Sequence, residues 1–167
     1  MLIDNPEEWI GIAIGDYFLR KILGNGRIGY VFLGVHKNIP ELKRAYKIIG
    51  EGQLKDGWQH EIQKVGQLRS CPEVAGVQDV GSSTDTHHRP FSYIGYDYID
   101  GINLRAHLEK QRNDVTVAFV IGVLTSLLKV HYACQTIGFQ HGDLHEGNIL
   151  VTEPDLLDPS SVPTFSH

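Results

Sequence analysis

Gly24-Asn25-Gly26-Arg27-Ile28-Gly29-Tyr30-Val31 places three glycines between two strand-like runs, Tyr17 to Leu23 and Tyr30 to Val35. Glycines let backbone N–H groups approach phosphate oxygens with no side chain in the way, although they also mark ordinary tight turns. A dinucleotide fold uses a similar triplet but needs a helix after the loop. Tyr30 to Val35 is aromatic and β-branched, so a returning strand is expected there instead. Lys47 follows in Arg44-Ala45-Tyr46-Lys47-Ile48-Ile49. Side chains alternate along a strand, so Ala45, Lys47 and Ile49 share one face. A lysine between two apolar residues needs an anionic partner or an exit to water at a sheet edge. Glu61 interrupts an apolar stripe of Leu54, Trp58, Val65 and Leu68, whose steps of four and three mark one face of a helix. A carboxylate there is costly unless paired, either with Lys47 or with Lys64 on the same helix. Further on, His141-Gly142-Asp143-Leu144-His145-Glu146-Gly147-Asn148-Ile149-Leu150 sets an aspartate and an asparagine just before a short apolar strand.

In this order the segments resemble the eukaryotic-like protein-kinase superfamily, bacterial-type Ser/Thr kinases or related phosphotransferases, from about Ile14 to Val151. They answer to the patterns G-x-G-x-x-G-x-V, V-A-I-K and H-R-D-L-x-x-x-N. The resemblance implies an α+β fold with an antiparallel five-stranded N-lobe sheet and the family's C-helix over residues 1–98. The start of a helical C-lobe would follow over 99–167. It also implies ATP and Mg2+, and transfer of the γ-phosphoryl group to a hydroxyl of a protein or small molecule. By the same resemblance Gly24, Asn25, Gly26 and Gly29 would cradle phosphates. Lys47 would hold the α- and β-phosphates, oriented by Glu61. Val31 and Ala45 would cover adenine, and the Asp97 carbonyl and Ile99 amide would bind its edge, with Tyr96 as gatekeeper. Asp143 would accept the proton of the attacking hydroxyl, and Asn148 would hold the magnesium ion.

The chain departs from the family pattern in places. Gly142 stands where protein kinases carry arginine, so a phosphorylated activation loop would find no partner there. His145 replaces the usual lysine, and His-Gly-Asp-Leu-His is commoner among small-molecule phosphotransferases and atypical bacterial kinases. No Asp-Phe-Gly follows Val151. One reading makes Thr152 to Phe165 an enlarged loop, with the metal-binding aspartate beyond His167; Pro154, Pro159 and Pro163 suit a loop. The other pairs Asn148 to Val151 with Leu156-Leu157-Asp158 in a tight hairpin and makes Asp158 the metal ligand. Neither supplies the helices that bear a substrate site, so the C-lobe is expected to be incomplete and the chain alone inactive. A non-catalytic kinase-like module binding nucleotide or a partner is a second reading. A metal hydrolase using the alternating His141, Asp143 and His145 is another, but it leaves the glycine loop, Lys47 and Glu61 unexplained.

The elements that would position these residues are legible in outline. Phe91 to Ile99 is strand-like and runs into the turn signal Asp100-Gly101; Asn103 to Gln111 reads as a short helix. Val117, Val120, Ile121, Leu124, Leu127 and Leu128 mark a longer helix that Phe119 and Val123 make apolar nearly all round, so burial on several sides is expected. The C-lobe helices that would normally pack on it are missing, so an apolar surface around Val117 to Leu128 is expected to be left open and to be covered by an oligomer or partner. His87 and His88 sit in a polar stretch read as a hairpin turn.

Composition of 41% hydrophobic and 21% charged residues is that of a globular protein. Fifteen Lys and Arg against twenty Asp and Glu leave a net charge of -5, which repels nucleic acid and anionic membranes, so neither is expected as a partner. Cys71 and Cys134 fit no metal or redox spacing and suggest a reducing compartment. The acidic N-terminus is unlike a signal peptide and no apolar run is read as reaching membrane-spanning length, so a cytoplasmic location is expected.

Overall fold

The computed structural model describes residues 5–26, 29–50, 58–111, 115–140, 142, 144–152 and 164–165, apart from the side chains of 58–61, 64 and 164–165. The chain forms two compact units, Met1–Ile62 with Val77–Tyr98, and Gln63–Gly76 with Ile99–His167. Besides a division after residue 98, the segment Gln63–Gly76 groups with the second unit. The cause is packing: Leu68, Cys71 and Val74 share a core with residues that follow Ile99.

The first unit is an antiparallel sheet of β1 (Ala13–Ile14), β2 (Tyr17–Gly26), β3 (Gly29–His36), β4 (Lys43–Gly50), β5 (Val77–Thr84) and β6 (Pro90–Asp97), in the order β1-β2-β3-β4-β6-β5. The expected five strands are therefore six. The extra strand is β1, turned back onto β2 at Gly15, whose φ of +56° suits glycine, so that Ile14 lies opposite Tyr17. Before it runs a short 3-10 helix, Pro6–Trp9, whose start is capped by the Asn5 side chain accepting the Glu7 N–H at 3.3 Å.

Strand alternation divides the side chains of this sheet between two clusters. Leu19, Phe32, Tyr46, Ile48 and Phe91 form one, closed by Trp9, Ile12 and Ile14 of the N-terminal segment, with Trp9 edge-on to Phe91 at 4.9 Å. Ile49, Ile94 and Tyr96 form the other, joined by Ala45, Val77 and Ile62. Ile62 belongs to α1 (Trp58–Gln67), so this helix lies on the second cluster. The β5–β6 turn is tied by Asp85, whose carboxylate accepts the N–H groups of His87 and Arg89, each at 2.8 Å, and pairs with the Arg89 guanidinium.

The second unit contains the C-terminal part of α1, a 3-10 turn Leu68–Ser70, β7 (Gly101–Asn103), α2 (Leu104–Lys110), α3 (Val117–Thr136), β8 (Ile149–Thr152) and β9 (Thr164–Phe165). Asn103 caps α2 by accepting the Ala106 N–H at 2.8 Å, and Thr116 caps α3 by accepting the Phe119 N–H at 3.1 Å. The three strands form a small sheet, β7-β8-β9. Ile149 lies opposite Phe165 and Leu150 opposite Thr164. The tight hairpin through Leu156-Leu157-Asp158 is therefore not the pairing formed, and Asp158 itself lies outside the described residues.

One expectation about α3 holds and another changes. Its face of Val123, Ser126, Val130 and Cys134 is buried against Leu68, Cys71, Val74, Leu104, Ile149 and Val151. Val117, Ile121, Leu124 and Leu128 are more than half exposed, so among the described residues the helix is covered on one side and the apolar surface expected around Val117 to Leu128 is open. At 20 residues and a mean hydropathy of 1.7, the helix also meets the length and composition of a membrane span. Thr125, Ser126, Lys129 and His131 break the apolar run but not its average, which is why a search for unbroken runs passes over it. The core packing of its Val123–Cys134 face matches that of a helix on the surface of a globular core.

Candidate functional site

Within the first unit, strand register assembles one face. Val31 lies opposite Lys47 across β3 and β4, Lys47 lies opposite Ile94 across β4 and β6, and Ala45 lies between Leu33 and Tyr96. Residues directly opposite in an antiparallel pair point to the same side. Val31, Ala45 and the half-buried Lys47 therefore share the face of Ile49, Ile94 and Tyr96, on which Ile62 packs. Tyr96 is buried, and that burial pushes its hydroxyl pKa above the ordinary range, so it stays neutral. Glu61 immediately precedes Ile62 on α1; its side chain lies outside the described ones.

The glycines of the β2–β3 hairpin are not equivalent. A Cβ at Gly29 would collide with the Ile48 carbonyl oxygen, so the close approach of β3 to β4 itself demands glycine. A Cβ at Gly24 would meet nothing, and one at Gly26 only the Gly29 carbonyl oxygen at 3.7 Å. Neither has the positive φ that favours glycine. Packing therefore leaves Gly24 and Gly26 unexplained, and a group approaching the backbone from outside would explain them. Asn25 lies opposite Tyr30 at the hairpin's end, while Arg27 and Ile28 lie outside the described residues. Asp97 closes β6, with its carboxylate accepting the Gln78 side-chain N–H at 2.6 Å, and the chain continues to Ile99.

Within the second unit, His145 opens a 3-10 turn, Glu146–Asn148, directly before β8. Its Nδ1 accepts the Gly147 N–H at 3.0 Å, which leaves Nε2 as the protonated nitrogen of the neutral ring. The ring folds so tightly onto Gly147 that a Cβ there would stand 2.8 Å from it. Asn148 donates its backbone N–H to the His145 carbonyl at 2.9 Å. Gly142 has φ of +72°, a conformation an arginine would adopt only with strain. Asp143 and His141 lie outside the described residues. Among the described residues, no group of three or more His, Cys, Asp or Glu is placed to hold a metal ion.

Three contacts here carry no sequence signal. Arg105 of α2 holds Glu146 by Nε at 3.1 Å and by Nη2 at 2.7 Å. The Glu146 backbone amide and then Arg105 hold its carboxyl below the usual range. Lys129 of α3 holds Glu73 at 2.6 Å, and Arg44 holds Asp79 at 2.6 Å. Each partner lies 35 residues or more away along the chain, and spacing reveals only near neighbours.

No family model matches the chain. Among curated proteins it is 28% identical over 146 residues to calcium-dependent protein kinase 12 of Arabidopsis thaliana, covering 84% of this chain and 28% of that one. It is 24% identical over 148 residues to the serine/threonine-protein kinase PknG of Mycolicibacterium smegmatis, covering 87% of this chain and 19% of that protein. Among solved structures, the PknI kinase domain of Mycobacterium tuberculosis superposes with a TM-score of 0.68 at 22% identity, over 93% of this chain and 60% of that one. The apo form of PpkA-294 gives 0.73 at 16% identity, over 95% and 60%. By these superpositions the chain has the fold of a protein kinase. Its sheet, α1 and the turn before β8 are protein-kinase elements, and its matched relatives are Ser/Thr protein kinases. The chain spans less than a third of the length of these curated kinases and about three fifths of the solved kinase domains.

Proposed function

We propose that the chain carries the nucleotide site and catalytic loop of an ATP-dependent phosphotransferase acting on a hydroxyl, in the first instance a serine or threonine of a protein. The observation that carries this is the pair of glycines, Gly24 and Gly26, which the fold does not require, beside a face holding Val31, Ala45 and Lys47. Backbone N–H groups at the hairpin would bind phosphate oxygens, with Lys47 on the α- and β-phosphates and Glu61 orienting it. Val31 and Ala45 supply an apolar surface for the adenine ring, and the Asp97 carbonyl and Ile99 amide its hydrogen bonds. Asn148 is an oxygen donor suited to magnesium, which neutralises phosphate charge when bound. Asp143 accepts the proton of the substrate hydroxyl as its oxygen bonds to the γ-phosphorus and the bond to the β-phosphate oxygen breaks, releasing ADP.

A small-molecule hydroxyl is a second acceptor class. It is favoured by His145, whose ring is held by the Gly147 amide at the position where protein kinases carry lysine. Mg-ATP should raise the melting temperature of the chain, and Lys47→Ala should remove the rise; no rise in the unaltered chain rejects the site. In the longest form that transfers phosphate, Asp143→Asn should lower the rate about 10²- to 10⁴-fold while nucleotide binding persists. A nucleotide-binding protein with no transfer in any form would instead be a non-catalytic module.

A further inference from the structure

The loop that leads into β8 is too exposed for apolar packing to fix it. Gly142, Leu144 and His145 are all exposed, Leu144 by 44%. The Glu146–Asn148 segment is a single 3-10 turn, whose hydrogen bonds are poorer than those of an α-helix. Directional bonds must therefore hold it, and two of them come from side chains. The His145 Nδ1 accepts the Gly147 N–H at 3.0 Å, as an N-cap oxygen takes an early amide of a helix. Arg105 grips Glu146 through Nε at 3.1 Å and Nη2 at 2.7 Å, both on Oε1.

His145 and Gly147 are fitted to each other. A Cβ on residue 147 would stand 2.8 Å from the ring Cε1 and 3.0 Å from Nδ1, so any side chain there pushes the ring off the amide. Gly147 has no positive φ that would call for glycine on its own account. A lysine at 145 could not make the bond, because an ammonium has three donors and no acceptor. Arg105 is anchored apart from the turn. It lies in the first turn of α2, whose cap residue Asn103 stands opposite Leu150 across β7 and β8 and accepts the Ala106 N–H at 2.8 Å. At 61% and 45% exposure the Arg105–Glu146 pair adds little to global stability, but two N–H groups on one oxygen fix the direction of the carboxylate.

We propose that His145 is a positioning residue which, by closing on the Gly147 amide with Arg105 as outer support, sets the placement of Asn148. Asn148 is the third residue of the turn and its N–H bonds the His145 carbonyl at 2.9 Å, so the turn cannot open without moving it. This rests on the phosphotransferase reading above, in which Asn148 supplies an oxygen donor for magnesium. The histidine at the place of the protein-kinase lysine thus serves as an acceptor for its own loop.

The test compares His145→Lys, which has no acceptor, with His145→Asn, whose amide oxygen restores one; Gly147→Ala, which displaces the ring, and Arg105→Gln are further variants. Amide hydrogen exchange at Gly147 and Asn148 is measured on this chain. The Mg2+ concentration for half-maximal phosphoryl transfer is measured on the longest form that transfers phosphate. His145→Lys and Gly147→Ala should speed exchange about two- to tenfold, the loss of one hydrogen bond, with the melting temperature nearly unchanged. They should raise the Mg2+ requirement about tenfold, the lower range for a group that orients a metal ligand. His145→Asn should restore both, and Arg105→Gln should move both the same way by less. Unchanged exchange in His145→Lys overturns the proposal. So does faster exchange with an unaltered Mg2+ requirement, since the cap is then merely structural, and so does a His145→Asn variant no better than His145→Lys. If no form transfers phosphate, the phosphotransferase reading fails by itself, and exchange at Gly147 and Asn148 still upholds or overturns the cap.

Discussion

The two units solve the same problem, hiding apolar surface, with different completeness. In the first, the sheet has a cluster on each face, one closed by the N-terminal segment through Trp9, Ile12 and Ile14, the other carrying α1 through Ile62. In the second, a single cluster takes one side of α3, while Val117, Ile121, Leu124 and Leu128 remain more than half exposed. A sheet offers two faces that flanking segments can cover. A helix apolar nearly all round needs neighbours on several sides, and the described residues supply them on one. The first unit therefore behaves as a closed core, and the second as a core with an open side.

The sharpest way to break this contrast is to truncate a large apolar side chain in each. Phe32→Ala, at a fully buried site in the first unit, should cost about 3–5 kcal/mol in denaturant unfolding. Leu128→Ala on the open side of α3 should change stability by no more than about 0.5 kcal/mol. Equal costs would mean that α3 is covered in solution.

A smaller effect separates the hairpin glycines. Gly29→Ala should lose about 1–3 kcal/mol, because its Cβ meets the Ile48 carbonyl and β3 must shift. Gly24→Ala should leave the melting temperature nearly unchanged, since nothing stands near its Cβ, yet reduce the shift given by Mg-ATP. A matched loss of stability in both would remove the reason for assigning Gly24 to a ligand.

Each unit also carries a buried carboxylate that titrates low. Burial opposes the charge of Asp85, but the Arg89 amide and guanidinium and the His87 amide outweigh it; Glu73 is held down by Lys129. Both pKa values are depressed on folding. The stabilisation they give is thus complete above the unfolded carboxylate values and is lost as pH falls through the lower folded values, below about pH 4. Asp85→Asn should flatten the acid limb of melting temperature against pH for the first unit alone, and Glu73→Gln for the second alone. The smallest stability change is expected from Leu124→Gln with Leu128→Gln. It should leave unfolding almost unaltered but lower the sedimentation-measured association that an open apolar helix face promotes.

Much of the first unit could be read along the chain because its signals are local. Glycines between strand-like runs and Lys47 alternating with Ala45 and Ile49 are patterns of near neighbours. The strand β1 escaped notice because two residues carry no period, and they pair only because Gly15 turns them back onto β2. The site is less legible than the fold. Spacing nominated Glu61, Asp143 and Asp158, whose side chains lie outside the described residues, and it passed over Glu73, Arg105 and Glu146.

What the amino-acid sequence determined by itself was the order of elements and the residues able to do chemistry, since period-two and period-3.6 patterns and glycine turns are set by covalent geometry and by neighbours a few positions apart. Only the tertiary structure decided that Gly29 is demanded by the sheet while Gly24 is not, that Thr164 and Phe165 rather than Leu156 to Asp158 pair with β8, and that Lys129 answers Glu73. Those outcomes depend on steric contact and charge between segments far apart in the chain. Burial and electrostatic pairing act on distance in space, which no spacing along the sequence records.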